Sequence, residues 1–256
     1  MTLGEAYAVI PARYESTRFP GKPLTLILGK PMVLWVAEAC STALGRNNVV
    51  IATDNPAIKQ TVEDAGFRVE ITSSSALTGT DRVAEVAKKY GGTTVLNVQG
   101  DEPMVSPEDI RQVADFHLSN PEVVVNCYLP LSPEENPERD TLPKVVLSES
   151  QDLIYASRSV IPGNKVGEGN NRHTEFLKQV CIYAFSPKQL EQFATVGQKT
   201  PLEAAEDIEI LRFLEQGQKV KMLRATKSTI AVDTPEDVEL VESAMRASGY
   251  PRGSEH

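Results

Sequence analysis

The 256-residue sequence predicts an α/β protein with a mostly parallel sheet flanked by helices. Short apolar runs bounded by turn signals alternate with helix-period stretches through the first half, which is the order of β-α-β units. The same pattern returns near the end of the chain, after a middle segment that is richer in strand-like runs. A hydrophobic content of 41% in a chain of this length is enough for a substantial core. We therefore expect one folded unit over residues 1–247.

The elements of the first half follow from these runs. AYAVI (6–10) predicts a strand that is followed by a long loop, and Pro31 opens a helix. NVVIAT (48–53) and FRVEIT (67–72) predict two further strands, with a helix near 56–65 between them. A helix beginning near Asp81 leads to the strand TVLNV, which ends at Gln99-Gly100-Asp101. Successive strands joined by helices favour parallel pairing.

The middle segment, from about 120 to 185, has a different pattern. It contains VVVNCYLP, KVVLSE, LIYASR and QVCIYAF, which are typical of strands. We predict that this segment forms an inserted lobe with a mixed sheet. The chain then returns to a helix near 201–216, a strand VKMLRA and a final helix capped by Thr234, and residues 248–256 are predicted to be a disordered tail.

Composition limits the classes of function. A formal net charge of -9 argues against nucleic-acid binding, which depends on many Lys and Arg side chains. No apolar run approaches the roughly 20 residues of a membrane span, and the N-terminus lacks the features of a signal peptide, so we expect a cytoplasmic protein without a membrane partner. The three cysteines are far apart in apolar stretches and predict packing thiols. Any metal is therefore expected to bind oxygen ligands.

The loop after the first strand carries three cations, Arg13, Arg18 and Lys22, among Ser, Thr and Gly residues. In open α/β sheets, ligands bind beyond the carboxyl ends of the strands, so this loop is placed to hold a polyphosphate. The alternative is a solvated basic loop. The segment matches neither the P-loop pattern nor the GxGxxG pattern, so the residues alone leave both interpretations open.

The loop, IPARYESTRFPGKPL, resembles the N-terminal signature of the CMP-Kdo synthetases, where Kdo is 3-deoxy-manno-octulosonate. Further matches follow in order: ATD (52–54), TGTDR (78–82), NVQGDEPM (97–104), YASRSVIP (155–162), IY (182–183), PLExxExxExLR (201–212) and VDTPED (232–237). The resemblance implies a Rossmann-like nucleotide-diphospho-sugar transferase fold. It also implies transfer of CMP from CTP to the anomeric hydroxyl of Kdo, for lipopolysaccharide or capsule synthesis. A homodimer built through the middle lobe is implied as well.

By this resemblance, Arg13, Arg18 and Lys22 hold the triphosphate, and Asp101 and Asp233 bind Mg²⁺. The residues placed near the nucleotide are Pro11, Ala12, Arg13, Arg18, Lys22, Thr78, Gly79, Arg82 and Asp101. Each position also has a structural interpretation: a cation paired with a surface carboxylate, an aspartate in a turn, or a buried structural arginine at Arg82. The catalytic set implied by the resemblance is Arg18, Lys22, Asp101 and Asp233.

The sugar-binding positions implied by the resemblance are Gln99, Arg158, Gln179, Tyr183, Glu209 and Ile210. Arg158 suits the sugar carboxylate and Glu209 suits the sugar hydroxyls. Gln179 and Ile210 depart from the family pattern, which has a histidine and a glutamine there. Because a missing hydrogen bond changes specificity, we expect Kdo to be a poorer substrate than a relative with a less polar substituent.

Three functions remain open from the sequence. The first is a CMP-Kdo-type synthetase, and the second is a cytidylyltransferase for another 2-keto sugar acid, such as amino-Kdo or a nonulosonate. The third is a non-catalytic nucleotide-binding relative. Intact Arg18, Lys22, Asp101 and Asp233 argue against the third, since a decayed enzyme should lose its metal ligands and phosphate clamp first.

Overall fold

The computed structural model describes residues 3–15, 19–163 and 175–251. Within these ranges the strands are β1 (Ala6–Pro11), β2 (Leu26–Ile27), β3 (Lys30–Pro31), β4 (Val49–Thr53), β5 (Arg68–Ile71), β6 (Thr94–Val98), β7 (Val124–Pro130), β8 (Lys144–Leu147), β9 (Leu153–Ser157), β10 (Leu177–Phe185) and β11 (Val220–Arg224). The α-helices are α1 (Met32–Leu44), α2 (Pro56–Asp64), α3 (Gly79–Tyr90), α4 (Pro107–Ser119), α5 (Pro187–Thr195), α6 (Pro201–Glu206), α7 (Ile210–Glu215) and α8 (Pro235–Ala247). Two 3₁₀ turns lie at Lys22–Leu24 and Arg46–Asn48.

The central sheet confirms the predicted α/β class. Its path is β11-β7-β10-β6-β1-β4-β5, with β8 and β9 attached to β10. Strands β6, β1, β4 and β5 are parallel to one another, as the alternation of strands and helices predicts. Strand β10 runs antiparallel to β6 and β7, and β11 is parallel to β7. The parallel half of the sheet therefore presents the carboxyl ends of several strands at one edge.

The two faces of the sheet bury different apolar residues because side chains alternate along a strand. Ile10 and Ile51 face one side, where α1, α2 and α4 cover the sheet. Val9 and Val50 face the other side, where α3, α5 and α7 pack. A smaller cluster joins α8 to the β2–β3 hairpin. Among the described residues, no helix is both long enough and apolar enough to span a membrane.

The middle segment shares the central sheet with the rest of the chain. Strands β7 and β10, near its two ends, lie inside the nine-stranded sheet. Only β8 and β9 extend beyond that path, because β8 pairs with the first residues of β10, where Leu177 faces Val145. The change in sequence pattern at residue 120 thus marks the change from a parallel to a mixed sheet. Within the described residues, the part that projects is limited to β8 and β9.

Three other details differ from the sequence expectations. Helices α4 and α5 form where no helix was predicted; both begin with a proline after a serine, at Ser106 and Ser186, which favours a helix start. The predicted helix near 201–216 is two helices, because Asp207 ends α6 with a left-handed backbone (φ 52°). The predicted tail is ordered as far as Tyr250, whose ring packs edge-on against Trp35 at 5.8 Å.

A buried ion pair holds α6 and α7 together. The guanidinium of Arg212 is fully buried and donates two hydrogen bonds of 2.6 Å to the two carboxylate oxygens of Glu203. It also donates to Asp81 in α3 at 3.1 Å and lies 3.7 Å from the centre of the Phe193 ring. The motif PLExxExxExLR therefore contains both partners of this pair. Because the pair reaches α3, it couples three helices on one face of the sheet.

We expect Arg212→Met to lower the free energy of unfolding by about 3–5 kcal/mol, since removing one partner leaves a buried carboxylate unpaired. The matched control is Arg246→Met, which removes a half-exposed pair with Glu242 in α8 and should cost less than about 0.5 kcal/mol. Urea unfolding followed by circular dichroism measures both. Equal losses in the two variants would contradict a structural role for the Arg212 pair.

Candidate active site

A polar cavity of about 500 Å³ opens beyond the carboxyl ends of β1 and β6. This is where open α/β sheets bind ligands. Its walls come from the loop after β1, the segment before α3, the loop after β6, the α6–α7 region and the start of α8. The described lining residues are Pro11, Ala12, Arg13, Lys22, Pro23, Met32, Ala76, Leu77, Thr78, Gly79, Arg82, Gln99, Gly100, Asp101, Lys199, Glu203, Asp207, Glu209 and Asp233.

Two carboxylates and one ammonium meet in this cavity. The Lys22 Nζ atom lies 2.9 Å from an Asp101 carboxylate oxygen and 3.7 Å from an Asp233 carboxylate oxygen. The backbone N–H of Val232 donates to the Asp101 carbonyl at 2.9 Å, which holds the two aspartate segments side by side. Within the described ranges, no group of three or more His, Cys, Asp or Glu side chains is arranged to hold a metal. The cluster therefore offers two carboxylate ligands around one cation position.

Close packing shapes the neighbouring wall. A Cβ on Gly79 would lie 3.1 Å from the Pro11 ring and 3.3 Å from the Gln99 amide. A Cβ on Gly100 would lie 3.0 Å from the Pro11 carbonyl oxygen. Both distances are tight for a real Cβ, so glycine lets the loops after β1 and β6 approach each other and the start of α3. The backbone of these loops thereby lines the cavity directly.

Arg82 is buried and also lines the cavity. Its guanidinium donates to the Asp54 carboxylate at 2.5 Å, to the Thr72 hydroxyl at 2.7 Å and to the Ser73 carbonyl at 3.0 Å. These contacts tie α3 to the ends of β4 and β5. Arg82 is therefore a buried structural arginine in this structure, and it also lies on the cavity wall.

Glu209 binds the amino end of α3. Its carboxylate accepts hydrogen bonds from the backbone N–H groups of Gly79 and Thr80, at 3.0 and 2.9 Å, and from the Thr80 hydroxyl. Unpaired N–H groups and the helix dipole favour a carboxylate at this position. Burial nevertheless outweighs these hydrogen bonds and raises the pKa of the Glu209 carboxyl above its ordinary value. Glu209 thus joins the α6–α7 wall to the α3 wall.

Lys199, Glu203 and Asp207 are cavity residues that the sequence analysis did not identify. The Lys199 Nζ atom lies 2.5 Å from an Asp207 carboxylate oxygen. This hydrogen bond is the largest cause of a lowered pKa for the Asp207 carboxyl, and the charges of Lys199, Arg158 and Arg13 act in the same direction. A sequence signal was present, since all three residues lie in or beside the PLExxExxExLR motif.

Arg158 does not line the cavity in this structure. Its guanidinium donates to three backbone carbonyls, those of Asp140, Glu206 and Asp207, at 2.7, 2.6 and 3.0 Å. Its backbone N–H donates to the Glu206 carboxylate at 2.8 Å. Arg158 therefore supports the turn between α6 and α7 from outside the cavity.

Gln179 also lies away from the cavity lining. Its side-chain amide donates to Asn126 at 2.8 Å, and Asn126 donates to the carbonyls of Val180 and Ile182, each at 2.9 Å. These bonds satisfy the backbone at the irregularity in the β7–β10 pairing. In this structure Gln179 thus stabilises a sheet bulge, which is a physical reason for an amide at this position.

Tyr183 and Ile210 are core residues here. Ile210 is 1% exposed, and both side chains belong to the apolar cluster beneath α3, α5 and α7. Neither side chain lines the cavity. The assignment of Arg158, Gln179, Tyr183 and Ile210 to the sugar stays a prediction, and the structure places all four outside the cavity lining. Arg18 lies outside the described residues.

The structure brings the other predicted residues together. Eleven of them line the cavity: Pro11, Ala12, Arg13, Lys22, Thr78, Gly79, Arg82, Gln99, Asp101, Glu209 and Asp233. A cavity with cations, paired carboxylates and close backbone at the carboxyl ends of parallel strands is typical of a nucleotide-binding α/β transferase. The chain belongs to the cytidylyltransferase family, whose model matches residues 7–222.

Two relatives show how much of the chain the similarity spans. The 3-deoxy-manno-octulosonate cytidylyltransferase of Porphyromonas gingivalis is 39% identical, over 96% of this chain and 98% of its own. The Escherichia coli protein of the same name is 36% identical, over 95% of this chain and 97% of its own. A solved CMP:2-keto-3-deoxy-manno-octonic acid synthetase, complexed with CTP, superposes with a TM-score of 0.85 at 35% identity. That match covers 95% of this chain and 99% of the synthetase.

The raised pKa of Glu209 predicts a pH dependence of stability. An acid whose pKa is higher in the folded state binds more protons there than in the unfolded chain. Its contribution is therefore fully present below the ordinary Glu pKa of 4.5 and is lost as pH rises through the folded value. We expect the free energy of unfolding of the wild type, minus that of Glu209→Gln, to fall as pH rises from about 4.5 towards neutrality.

Glu70→Gln is the opposite control. Burial raises the pKa of the Glu70 carboxyl, but hydrogen bonds from Lys89 and Tyr90 outweigh it and leave the pKa lowered. The difference between wild type and Glu70→Gln should therefore grow as pH rises towards about 4.5 and stay level above it, where the Glu209 difference falls. Denaturant unfolding at a series of pH values measures both differences. A Glu209 difference that stays flat or rises with pH would count against the burial of this carboxyl.

Proposed function

We propose that this chain transfers the cytidylyl group of CTP to the anomeric hydroxyl of 3-deoxy-manno-octulosonate, giving CMP-Kdo and pyrophosphate. The observation that carries the proposal is the cluster of Lys22 with Asp101 and Asp233 in the cavity beyond β1 and β6. It lies in a chain that is 39% and 36% identical, over nearly its whole length, to two 3-deoxy-manno-octulosonate cytidylyltransferases. The product of such a reaction serves lipopolysaccharide or capsule synthesis.

The position of the cations supports a place for the triphosphate. Arg13 and Lys22 line the same cavity, beyond the carboxyl ends of β1 and β6. Cations are among the groups that bind phosphate oxygens most strongly. Arg13 and Lys22 therefore hold the phosphates, in a cavity whose wall the close packing of Gly79 and Gly100 against Pro11 brings together. Arg18 completes the clamp in this proposal.

The donor set fits magnesium. Mg²⁺ prefers oxygen ligands and keeps several waters, so two carboxylates plus phosphate oxygens suffice to bind it. Asp101 and Asp233 supply the two carboxylates, and their shared contact with the Lys22 ammonium places both beside one cation position. When bound, Mg²⁺ neutralises charge on the phosphates. With a metal held by the two carboxylates, the Lys22 ammonium would be available to the pyrophosphate leaving group.

The transfer itself needs orientation more than covalent help from the protein. The anomeric oxygen forms a bond to the α-phosphorus as the bond to pyrophosphate breaks, and the proton of the hydroxyl passes to solvent. Phosphoryl-type transfer is accelerated mainly by positioning and by charge stabilisation. In this proposal Arg13 and Lys22 stabilise the departing charge, and Gln99 and Glu209, on the facing walls, hold sugar hydroxyls.

A related 2-keto sugar acid, such as amino-Kdo or a nonulosonate, is the second candidate substrate. The sequence favours it through the departure of Gln179 and Ile210 from the family pattern, but neither side chain lines the cavity, so the expectation that Kdo is the poorer substrate has no support from the cavity geometry. We test the function by measuring pyrophosphate released from CTP with Kdo, amino-Kdo and a nonulosonate in parallel. The proposal expects the highest kcat/KM with Kdo. A higher value with another acid favours the second candidate, and no release with any acid contradicts both.

We extend the proposal to a cytoplasmic homodimer. The use of CTP supports the cytoplasmic location. Strand β9 is an edge strand, and its Ile154 side chain is 57% exposed, which leaves both backbone and apolar surface for a second copy. Sedimentation at micromolar concentration measures the oligomeric state, and a strictly monomeric species would contradict this part.

We expect activity to require Mg²⁺ and both aspartates. Asp101→Asn and Asp233→Asn should each lower kcat/KM by about 100-fold or more, because each removes a ligand charge from the metal. Thermal unfolding should change little, since both side chains face the cavity. Pyrophosphate release with and without EDTA provides the measurement.

Glu108→Gln is the control for this prediction. It removes an exposed carboxylate that pairs with Lys227 on the surface, so its activity should equal that of the wild type. Full activity in EDTA, or in either aspartate variant, would contradict the metal assignment.

A further inference from the structure

The cavity wall at α6 carries a cation that the nucleotide does not need. Lys199 precedes α6 and lines the cavity together with Glu203, Asp207 and Glu209. The other three side chains are carboxylates, so Lys199 supplies the positive charge on this wall among the described residues. An acidic sugar brings a carboxylate into the same cavity and needs a cation there.

The other described cations of the cavity come from other walls. Lys22, in the loop after β1, contacts Asp101 and Asp233. Arg82, in α3, is buried and bound to Asp54. Arg13 lies in the loop after β1, which the proposed function assigns to the phosphates. Lys199 is paired with Asp207, but it is the described lining cation of the α6 wall, and the proposed function gives it no role.

Arg158 holds this wall without facing the cavity. Three of its hydrogen bonds go to backbone carbonyls, two of them at Glu206 and Asp207, in the turn that follows α6. Three of its five N–H donors are used by these carbonyls, and its guanidinium also lies 3.9 Å from an Asp207 carboxylate oxygen. Its contacts fix the backbone of the residue that pairs with Lys199.

The partner of Lys199 is suited to exchange. The Asp207 side chain is 70% exposed and that of Lys199 is 34% exposed. Exposed ion pairs stabilise proteins little, so a substrate carboxylate can replace Asp207 at small cost. Lys199 precedes α6 and Asp207 ends it, and both line the cavity, so the pair keeps the ammonium there.

We propose that Lys199 binds the carboxylate of the sugar-acid substrate and that Asp207 holds its ammonium in place until the acid replaces it. This inference rests on the proposed function and adds a specificity-determining residue to it. Lys199 selects acids over neutral sugars because a neutral sugar has no charge with which to displace Asp207.

The first test compares lysine variants. Lys199→Met should raise KM for Kdo by about 10- to 100-fold, the effect of losing one charge-assisted hydrogen bond, while KM for CTP changes less than about twofold. Lys199→Arg keeps the charge and should recover most of the affinity. Lys188→Met, an exposed lysine of α5 outside the cavity, should match the wild type.

The second test uses Asp207→Asn, since asparagine tolerates the left-handed backbone. Removing the competing carboxylate should lower KM for Kdo a few-fold when Lys199 is present. The same substitution should have no effect when it is combined with Lys199→Met. The carboxamide of Kdo gives a further readout: the wild type should discriminate acid from amide, and Lys199→Met should lose that discrimination. If Lys199 had only a structural role, Asp207→Asn would change KM for Kdo equally with and without Lys199→Met. The wild type and Lys199→Met would then also discriminate acid from amide equally.

The two proposals fail differently. Wild-type turnover with an unchanged KM for Kdo in Lys199→Met overturns the lysine assignment and leaves the proposed function intact. Absence of pyrophosphate release by the wild type overturns the proposed function. In that case, calorimetric titration of Kdo into the wild type and into Lys199→Met still tests the assignment of Lys199. Equal affinities for Kdo overturn the assignment, and a lower affinity in the variant supports it.

Discussion

The ammonium of Lys22 lies between the carboxylates of Asp101 and Asp233 and thereby joins three segments that are far apart in sequence. One segment follows β1, one follows β6 and one precedes α8. Each brings a charge that would be costly to leave unpaired inside a cavity. The backbone bond from Val232 to Asp101 sets the spacing of the two acidic segments. These three segments meet at the part of the cavity where phosphates and a metal are proposed to bind.

A second constraint fixes the wall that faces the sugar. Glu209 binds the amino end of α3, and the buried Arg212–Glu203 pair reaches the same helix through Asp81. Three helices therefore move as one unit on this face of the sheet. The carboxylates and arginine of the PLExxExxExLR motif act largely within the protein, and the same motif places Lys199 and Asp207 at the cavity. A motif can thus be specific to a family for two reasons: it builds the cavity wall, and it contacts the substrate.

The sequence predicted the parallel half of the sheet well, since apolar runs such as AYAVI and TVLNV have one clear periodicity and lie beside clear turn signals. Together with the family resemblance, it also predicted that Lys22, Gly79 and Asp101 lie close together, and all three line the cavity. Gln179 and Ile210 were harder to place. Their positions depend on how β10 pairs with β7 and on how α7 packs, which are long-range contacts that local pattern does not encode. Lys199 was missed because its sequence signal is only its position beside the PLExxExxExLR motif, and a single lysine before a helix is not distinctive by itself.

The central claim is that one cavity holds both the metal and the triphosphate around Lys22, Asp101 and Asp233. A crystal structure with a non-reactive CTP analogue and Mn²⁺ tests it most directly, since anomalous scattering locates the metal independently of the nucleotide. The account predicts Mn²⁺ bound to Asp101 and Asp233, with the Lys22 ammonium moved from the carboxylates to a phosphate oxygen. A nucleotide bound outside this cavity, or Lys22 still between the two carboxylates with Mn²⁺ bound elsewhere, would contradict the account.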